Sequence, residues 1–274
     1  MPELPEVETI VRALQAGGRG GQSLPGRRVS SASLLWGNTL AAPSAAEFLQ
    51  RLPGQTIQHL SRRAKLIQIH LERDTLLIHL RMSGDLRVEP ASEAIQKHDR
   101  LLLNFTDGLR LAFNDTRKFG RAWLTDDPAS LTAHLGPEPL AEDFSAAEFH
   151  IRLQTSRRAL KPLLLDQTFL AGLGNIYTDE ALHRAGLHPL TPANRLDESA
   201  AARLLESIRA ALQEGIRRNG ASIDWVYRGG DFQNYFHVYG RSGQPCPACG
   251  AVVQRILVAQ RSTHFCPICQ PQGD

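Results

Sequence analysis

Cysteine is scarce in this 274-residue chain: there are four, and the first lies at position 246. Everything before it is free of disulfides, which excludes a disulfide-stapled scaffold. Long apolar runs are missing too. Runs such as LLL at 163–165 and TLLIHL at 75–80 fall far short of the roughly 20 residues of a membrane-spanning helix. The first thirty residues lack an apolar core and place acids before bases, so neither a secretory nor a transit peptide is expected and a cytoplasmic location is. No internal repeat is visible, and the one glycine-rich tract, GGRGGQ at 17–22, reads as a flexible loop. Charge is not strongly one-sided either: a formal +3 is too mild to identify a nucleic-acid binder by itself. The arrangement says more, because arginines recur in pairs at Arg27/Arg28, Arg62/Arg63, Arg157/Arg158 and Arg217/Arg218.

The chain is long enough for two domains, and its 42% hydrophobic content suits a buried core. In PEVETIVRALQAGG, Val7, Ile10, Val11 and Leu14 follow a helical stripe, Pro5 suits the first turn, and Gly17 and Gly18 end it. Its acids sit at the positive end of the helix dipole. From about 55 to 125 the period falls to two, in KLIQIHL, TLLIHLRM, RLLLNF and LRLAF, with Asp107-Gly108 as a hairpin signal. The stretch 125–144 breaks either period and is the expected linker. After it the class changes. Ser145 with Glu148 forms a capping-box signature, RALKPLLLD and NIYTDEALHRAG are short helices, and DESAAARLLESIRAALQEGIRRNG is a long one. The expected fold is therefore α+β: a mostly β first domain with a leading helix, then a helical domain and a cysteine-rich end.

The four cysteines form two pairs, Cys246-x-x-Cys249 and Cys266-x-x-Cys269, sixteen residues apart. Each pair brings two thiolates to one ion from a tight turn, and the two pairs complete a tetrahedral site. Such a set leaves no position for water, so one structural Zn2+ is expected rather than a catalytic one, and no other cofactor. The intervening GAVVQRILVAQRSTHF should form a basic hairpin.

The chemistry must lie elsewhere, and MPELPEVE supplies a candidate. Were Met1 removed, Pro2 would present a secondary amine. An α-amine titrates near 7.7 to 8.0, well below lysine, so an appreciable fraction is neutral at about pH 7. Pro2 could then attack an electrophilic sugar carbon and form a cationic iminium. The iminium acidifies the neighbouring C–H bond, and Glu3 is placed to give or take a proton. Alone, the same residues also read as a proline-rich helix entry with dipole-matched acids.

MPELPEVET taken with SRRAKLI, HLRMSG, NDTRKFG, HLGPEPL, GLGNIY, VYGRSGQPC and QRSTHFCPICQ, in that order, closely resembles the formamidopyrimidine-DNA glycosylase family over essentially the whole chain. The resemblance implies a bifunctional glycosylase and AP lyase that removes 8-oxoguanine and formamidopyrimidines from duplex DNA, acting as a monomer on damaged double-stranded DNA in the cytoplasm, at the nucleoid of a bacterium. It implies a β-sandwich domain over 1–130, a linker over 131–145, a helical domain with a helix, two-turn, helix motif and a lesion-capping loop over 146–236, and a zinc finger over 237–274. Carried over by position, Pro2 is the Schiff-base nucleophile, Glu3 the acid that assists sugar opening, Lys65 the lysine of β-elimination and Arg261 the arginine of δ-elimination. Met82, Arg117 and Phe119 match residues that fill the vacancy left by the extruded nucleotide, a role suited to apolar wedges. His98, Arg117 and Asn175 match DNA-binding positions, with Asn175 at a helix start where backbone N–H groups attract phosphate. ASIDWVYRGGDFQ, at 221–233, matches a mobile loop that closes over an extruded purine.

Two departures stand out. Arg81 precedes Met82 where the family usually has glycine, so a different loop shape or an added phosphate contact is expected. The family's lysine contact near 150–158 falls on Arg157, or with a one-residue slip on Ser156 or Arg158, and Lys161 joins the DNA-binding set. Two rival readings remain: an endonuclease VIII-like enzyme for oxidised pyrimidines, and a non-catalytic zinc-ribbon DNA reader.

Overall fold

A computed structural model of the chain describes residues 1–17, 22–222 and 229–272. It divides into two compact units: residues 1–133 with 219–230, and residues 134–218 with 231–274.

The first unit opens with helix α1 (Leu4–Ala16). Glu3 caps it: its side chain accepts the Glu6 backbone N–H, and the Glu6 carboxylate accepts the Glu3 N–H at 2.8 Å. Gly17, at φ 80°, closes the other end in the left-handed region. Nine strands follow: β1 (Val29–Leu34), β2 (Leu40–Ala42), β3 (Ile57–Arg63), β4 (Leu66–Leu71), β5 (Thr75–His79), β6 (Gly84–Pro90), β7 (Asp99–Phe105), β8 (Leu109–Asp115) and β9 (Arg121–Thr125), with helix α2 (Ala45–Arg51) between β2 and β3. They form two sheets, β1-β7-β8-β6 and β2-β9-β5-β4-β3, antiparallel throughout except for β2 beside β9. The two sheets share one core. Val29, Leu101, Leu103, Leu111 and Phe113 of the first sheet meet Ile67, Ile69, Leu76, Ile78 and Leu124 of the second, and Val7, Ile10 and Leu14 of α1 join them. Strand β4 alternates part-exposed and buried positions strictly, whereas β5, β7 and β8 are buried at consecutive positions, as strands are where both faces of a sheet are covered.

Three elements before residue 55 lie outside the period-two reading. Strand β1, VSSASL, is rich in small polar residues, β2 spans three residues and α2 seven. None is long or apolar enough to give a periodic signal.

The second unit is helical: α4 (Ala146–Gln154), α5 (Leu160–Leu164), α6 (Asn175–Ala185) and α7 (Glu198–Arg217), then the hairpin β10 (Gln254–Val258) and β11 (Arg261–Phe265). Ser145 caps α4 by accepting the Glu148 N–H, and Asp197 caps α7 by accepting that of Ala200. Helices α6 and α7 meet where Tyr177 lies over Gly215; a Cβ there would stand 2.5 Å from the Tyr177 ring. The stretch expected to be a linker carries a short helix, α3 (Pro128–Thr132), in the first unit. Its far end is fastened within the second unit, where the Arg209 guanidinium donates to the carbonyls of Pro139 and Phe144 and the Phe144 ring is buried. Among the described residues no helix is long and apolar enough to cross a membrane.

Candidate functional site

The candidate nucleophile and acid sit where α1 begins. Glu3 is buried, and its backbone is held by the Glu6 carboxylate, whose other oxygen accepts the Ala221 N–H at 2.7 Å. That second bond ties the start of the chain to the base of the segment expected to cap the lesion. Residues 223–228 of the segment lie outside the described residues. Its base is closed by Ser222, whose hydroxyl donates to the Gly230 carbonyl and accepts the Gly230 N–H at 2.8 Å.

Lys65 belongs to the same unit. It occupies the two-residue turn Ala64-Lys65 between β3 and β4, with Ala64 at φ 52°, and is buried. The hairpin is fastened to α1 through the Arg62–Glu8 ion pair, 2.9 Å, and the Leu60 N–H donated to Gln15. Glu8 is five residues beyond Glu3, roughly 7.5 Å along the helix. One packing contact thus carries both the N-terminal pair and the lysine.

His79, at the end of β5, was not expected in the site. Burial, then the charges of Arg81 and Lys65, depress its pKa to about 3, so it is a neutral imidazole. Its Nδ1 accepts the Arg81 N–H at 3.0 Å, which leaves the proton on Nε2. Arg81 itself sits at φ 54°. The backbone here takes a shape that glycine adopts without strain, and arginine occupies it, held by His79.

Next to Arg81, Met82 is 38% exposed, and Phe119 is 51% exposed on the loop after β8. Taken singly, a methionine and a phenylalanine are more often core residues; here both project from loops. The Arg117 guanidinium lies 5.4 Å from the centre of the Phe119 ring, and Lys118, at φ 60°, rests its ammonium 3.9 Å over Trp36. His98 is half-exposed, and its Nδ1 faces the Arg100 guanidinium at 3.2 Å. Gly84 and Gly120, which flank the two loops, press on one ring: a Cβ on either would stand 2.8 or 2.4 Å from Phe113. Between the loops lies the buried carboxylate of Asp115, absent from the expected site; it lies within the string NDTRKFG, but its residue type at the end of β8 gives no sign of a role.

In the second unit, Asn175 opens α6, and its Nδ2 donates to the Ser262 carbonyl at 2.9 Å. Arg261, next to Ser262, is exposed at the start of β11, just after the turn Ala259-Gln260, whose residues have φ 47° and 61°. The helix terminus and the arginine are thus one assembly. Arg157 is exposed, and Arg158 is ion-paired to Asp166 at 2.8 Å.

Lys161 does not fit the DNA-binding set. Its side chain is completely buried and its ammonium is paired with the equally buried Asp179. Reaching a phosphate would strip the pair and leave Asp179 as an uncompensated buried charge. Asp179 also accepts the His264 N–H at 3.0 Å, and Glu180 accepts the N–H groups of His237, Val238 and Tyr239 at 2.9 to 3.0 Å. Successive carboxylates of α6 therefore hold the ribbon to the helix. Burial opposes ionisation of Glu180, but the His237 ring and these three N–H groups outweigh it and hold its pKa below the usual range.

The sulfurs of Cys246, Cys249, Cys266 and Cys269 all lie within 4.8 Å of one another. Burial and the three neighbouring sulfurs push the Cys269 thiol up, so four thiolates gather here only around a cation. The donor set is that of structural zinc, one ion per site. His183 of α6 lies 3.4 Å from the Cys246 sulfur and stacks on His237.

Residues 1–122 match the model of the formamidopyrimidine-DNA glycosylase N-terminal domain, 135–226 that of the H2TH domain of the same family, and 243–272 that of the zinc finger found in FPG and IleRS. The chain is 42% identical to a formamidopyrimidine-DNA glycosylase of Protochlamydia amoebophila, over 98% of this chain and 99% of that one. It is 45% identical to one of Chloroflexus aurantiacus, over 98% of each. Two solved structures of Lactococcus lactis Fpg align with a TM-score of 0.91 at 39% identity, covering 99% of this chain and 100% of theirs: a complex with abasic-site DNA and a wild-type complex with DNA containing N7-benzyl-Fapy-dG.

Proposed function

The chain belongs to the formamidopyrimidine-DNA glycosylase family, and from that premise we propose that it excises oxidised purines, chiefly 8-oxoguanine and formamidopyrimidines, from duplex DNA and then cleaves the abasic strand, as a monomer at the nucleoid. The observation that carries the reading is the fixing of a chain terminus. Glu3 is buried and capped into α1, and the same helix holds the hairpin that bears Lys65.

With Met1 removed, the Pro2 nitrogen is a secondary amine, partly neutral near pH 7 because α-amines titrate at about 8. Its lone pair forms a bond to C1′ of the damaged nucleoside as the glycosidic bond breaks, and the base departs with the electron pair and takes up a proton. Glu3 protonates the ring oxygen, the C1′–O4′ bond opens, and an iminium joins Pro2 to the sugar. Lys65 assists loss of a C2′ proton, and the 3′ phosphate leaves. Arg261 assists the second elimination, in which the 5′ phosphate leaves; hydrolysis of the iminium frees Pro2. The product is a gap with phosphate at both ends.

Met82, Arg117 and Phe119 would occupy the vacated stack, and their exposure on neighbouring loops supports that role. Asn175, His98 and Arg157 would contact phosphate. The zinc ion supplies no chemistry: its four cysteines hold the hairpin that carries Arg261.

Borohydride reduction in the presence of an 8-oxoguanine duplex, followed by mass spectrometry, tests the reading. One covalent adduct on Pro2 of a chain lacking Met1 is expected, and Pro2→Gly should abolish it while retaining DNA binding. Adduct on a lysine, or stronger trapping on thymine glycol than on 8-oxoguanine, would overturn the assignment.

A further inference from the structure

Asp115 is an anion placed beneath loops that face an anionic polymer. A carboxylate there opposes phosphate binding, and burying it costs free energy unless its oxygens are bonded. It is 1% exposed, and both of its oxygens accept hydrogen bonds. Oδ1 accepts the Ser83 hydroxyl and the Arg117 N–H (3.2 Å), while Oδ2 accepts the Gly120 N–H at 2.7 Å. The Ser83 oxygen in turn accepts the Arg117 N–H at 3.1 Å. The backbone of Asp115 reaches a third segment: its N–H donates to the His98 carbonyl at 2.8 Å, and its carbonyl accepts the Arg100 guanidinium at 2.7 Å.

We propose that Asp115 is a positioning residue: it locks the loop bearing Met82 to the loop bearing Arg117 and Phe119, so that the three side chains enter the duplex as one preformed wedge. The proposal rests on the reading of those side chains as void fillers. Filling the vacancy with two independently mobile loops would require ordering both at the moment of extrusion; joining them beforehand moves that entropic cost to folding. Phe113, packed under Gly84 and Gly120, supplies the floor on which the loops rest, and Asp115, two residues on along the same strand, fixes their register. Asparagine cannot replace it. With donors converging on both oxygens, one face of the amide would set N–H against N–H.

Asp115→Asn and Ser83→Ala test this on two substrates. One is an 8-oxoguanine duplex carrying 2-aminopurine beside the lesion, whose fluorescence reports unstacking by the wedge. The other is a single-stranded abasic oligonucleotide trapped with borohydride, which needs the Pro2 chemistry but has no vacancy to fill. For Asp115→Asn the ratio of duplex excision to single-strand trapping should fall about tenfold or more, because the charged acceptor of all three donors is lost, and for Ser83→Ala about threefold, because one of those donors is lost while the Arg117 and Gly120 N–H groups stay bonded. The 2-aminopurine response should weaken in the same order. A ratio within twofold of the wild type in both variants overturns the proposal, and if Asp115→Asn does not fold, an unchanged ratio in Ser83→Ala overturns it alone. Failure of the wild type to trap the single-stranded abasic substrate would instead count against the reading of Pro2.

Discussion

Lys65 and Arg261 both stand at two-residue hairpin turns, Ala64-Lys65 between β3 and β4 and Ala259-Gln260 between β10 and β11, and in each turn a residue other than glycine takes a positive φ. The support beneath them differs. The Lys65 turn rests on a sheet whose inner residues, Ile67, Ile69, Leu76 and Ile78, are entirely buried, and on the Arg62–Glu8 contact to α1. The Arg261 turn belongs to a ribbon whose core cluster has Val238, Val253 and two cysteines as its buried members, so it is held by zinc and by the carboxylates of α6. A large unit can anchor a reactive side chain by apolar burial; a ribbon of about thirty residues cannot bury enough and relies on metal and polar anchors.

The largest test of that contrast is metal removal. Structural zinc in small domains binds with about 10–16 kcal/mol, nearly all of it folding free energy. Chelation, or Cys266→Ser, should therefore abolish amide protection in β10 and β11 while the β4, β5 and β8 amides stay protected in hydrogen exchange. Parallel loss in the sheets would break the comparison.

A matched pair of substitutions comes next. Asp179→Ala leaves the Lys161 ammonium buried without its counter-charge, which should cost about 3–5 kcal/mol; Phe113→Ala opens a cavity in the sandwich at about the same cost. The two should differ in what restores stability. Adding Lys161→Met to the Asp179 variant should recover part of the loss in denaturant unfolding, because the uncompensated charge is gone, whereas no change of charge should rescue the cavity.

Acid gives a smaller effect. The pKa of Glu180 is lower folded than unfolded, so the unfolded state binds more protons between the two values and stability rises with pH through that window. The contribution is complete above the ordinary glutamate pKa of about 4.3 and is lost as pH falls through the folded value. Glu180→Gln should flatten the acid limb of the ribbon's stability, read by the pH dependence of exchange in residues 237–239. The smallest effect concerns the shared turn geometry: Ala64→Gly and Gln260→Gly each remove a left-handed penalty of roughly 1–2 kcal/mol but add unfolded-state entropy, so each should stabilise by under about 1 kcal/mol in thermal unfolding. Opposite signs at the two turns would show that they are not the same device.

Much of the fold was legible because its signals are local. Helix α1 shows its stripe, its acids and its closing glycines; α4 shows its capping box; β7 and β8 show the Asp-Gly turn between them. Short or polar elements such as β1 and α2 gave too little pattern. The candidate site was read from motifs, which record none of its mechanics. Pro2, Glu3 and Lys65 could be named from strings of residues, while Lys161 was read from the same kind of string and proved to be buried against Asp179. Met82 and Phe119, core-like by residue type, are exposed on loops that hydrogen bonds among Ser83, Asp115, Arg117 and Gly120 join.

The sequence by itself determined the order of elements, the terminal Pro-Glu pair and the four-thiolate site, since helical and strand periods, caps and the Cys-x-x-Cys spacing act over a few residues. Only the tertiary structure decided which buried charge meets which donor. Asp115 meets Ser83 across 32 positions, Asp179 meets His264 across 85, and Glu180 meets Tyr239 across 59. Those partners are chosen by strand pairing and helix packing, which bring distant segments together; a desolvated carboxylate then stays charged only where converging N–H, O–H or cationic groups satisfy it, and no local pattern records that condition.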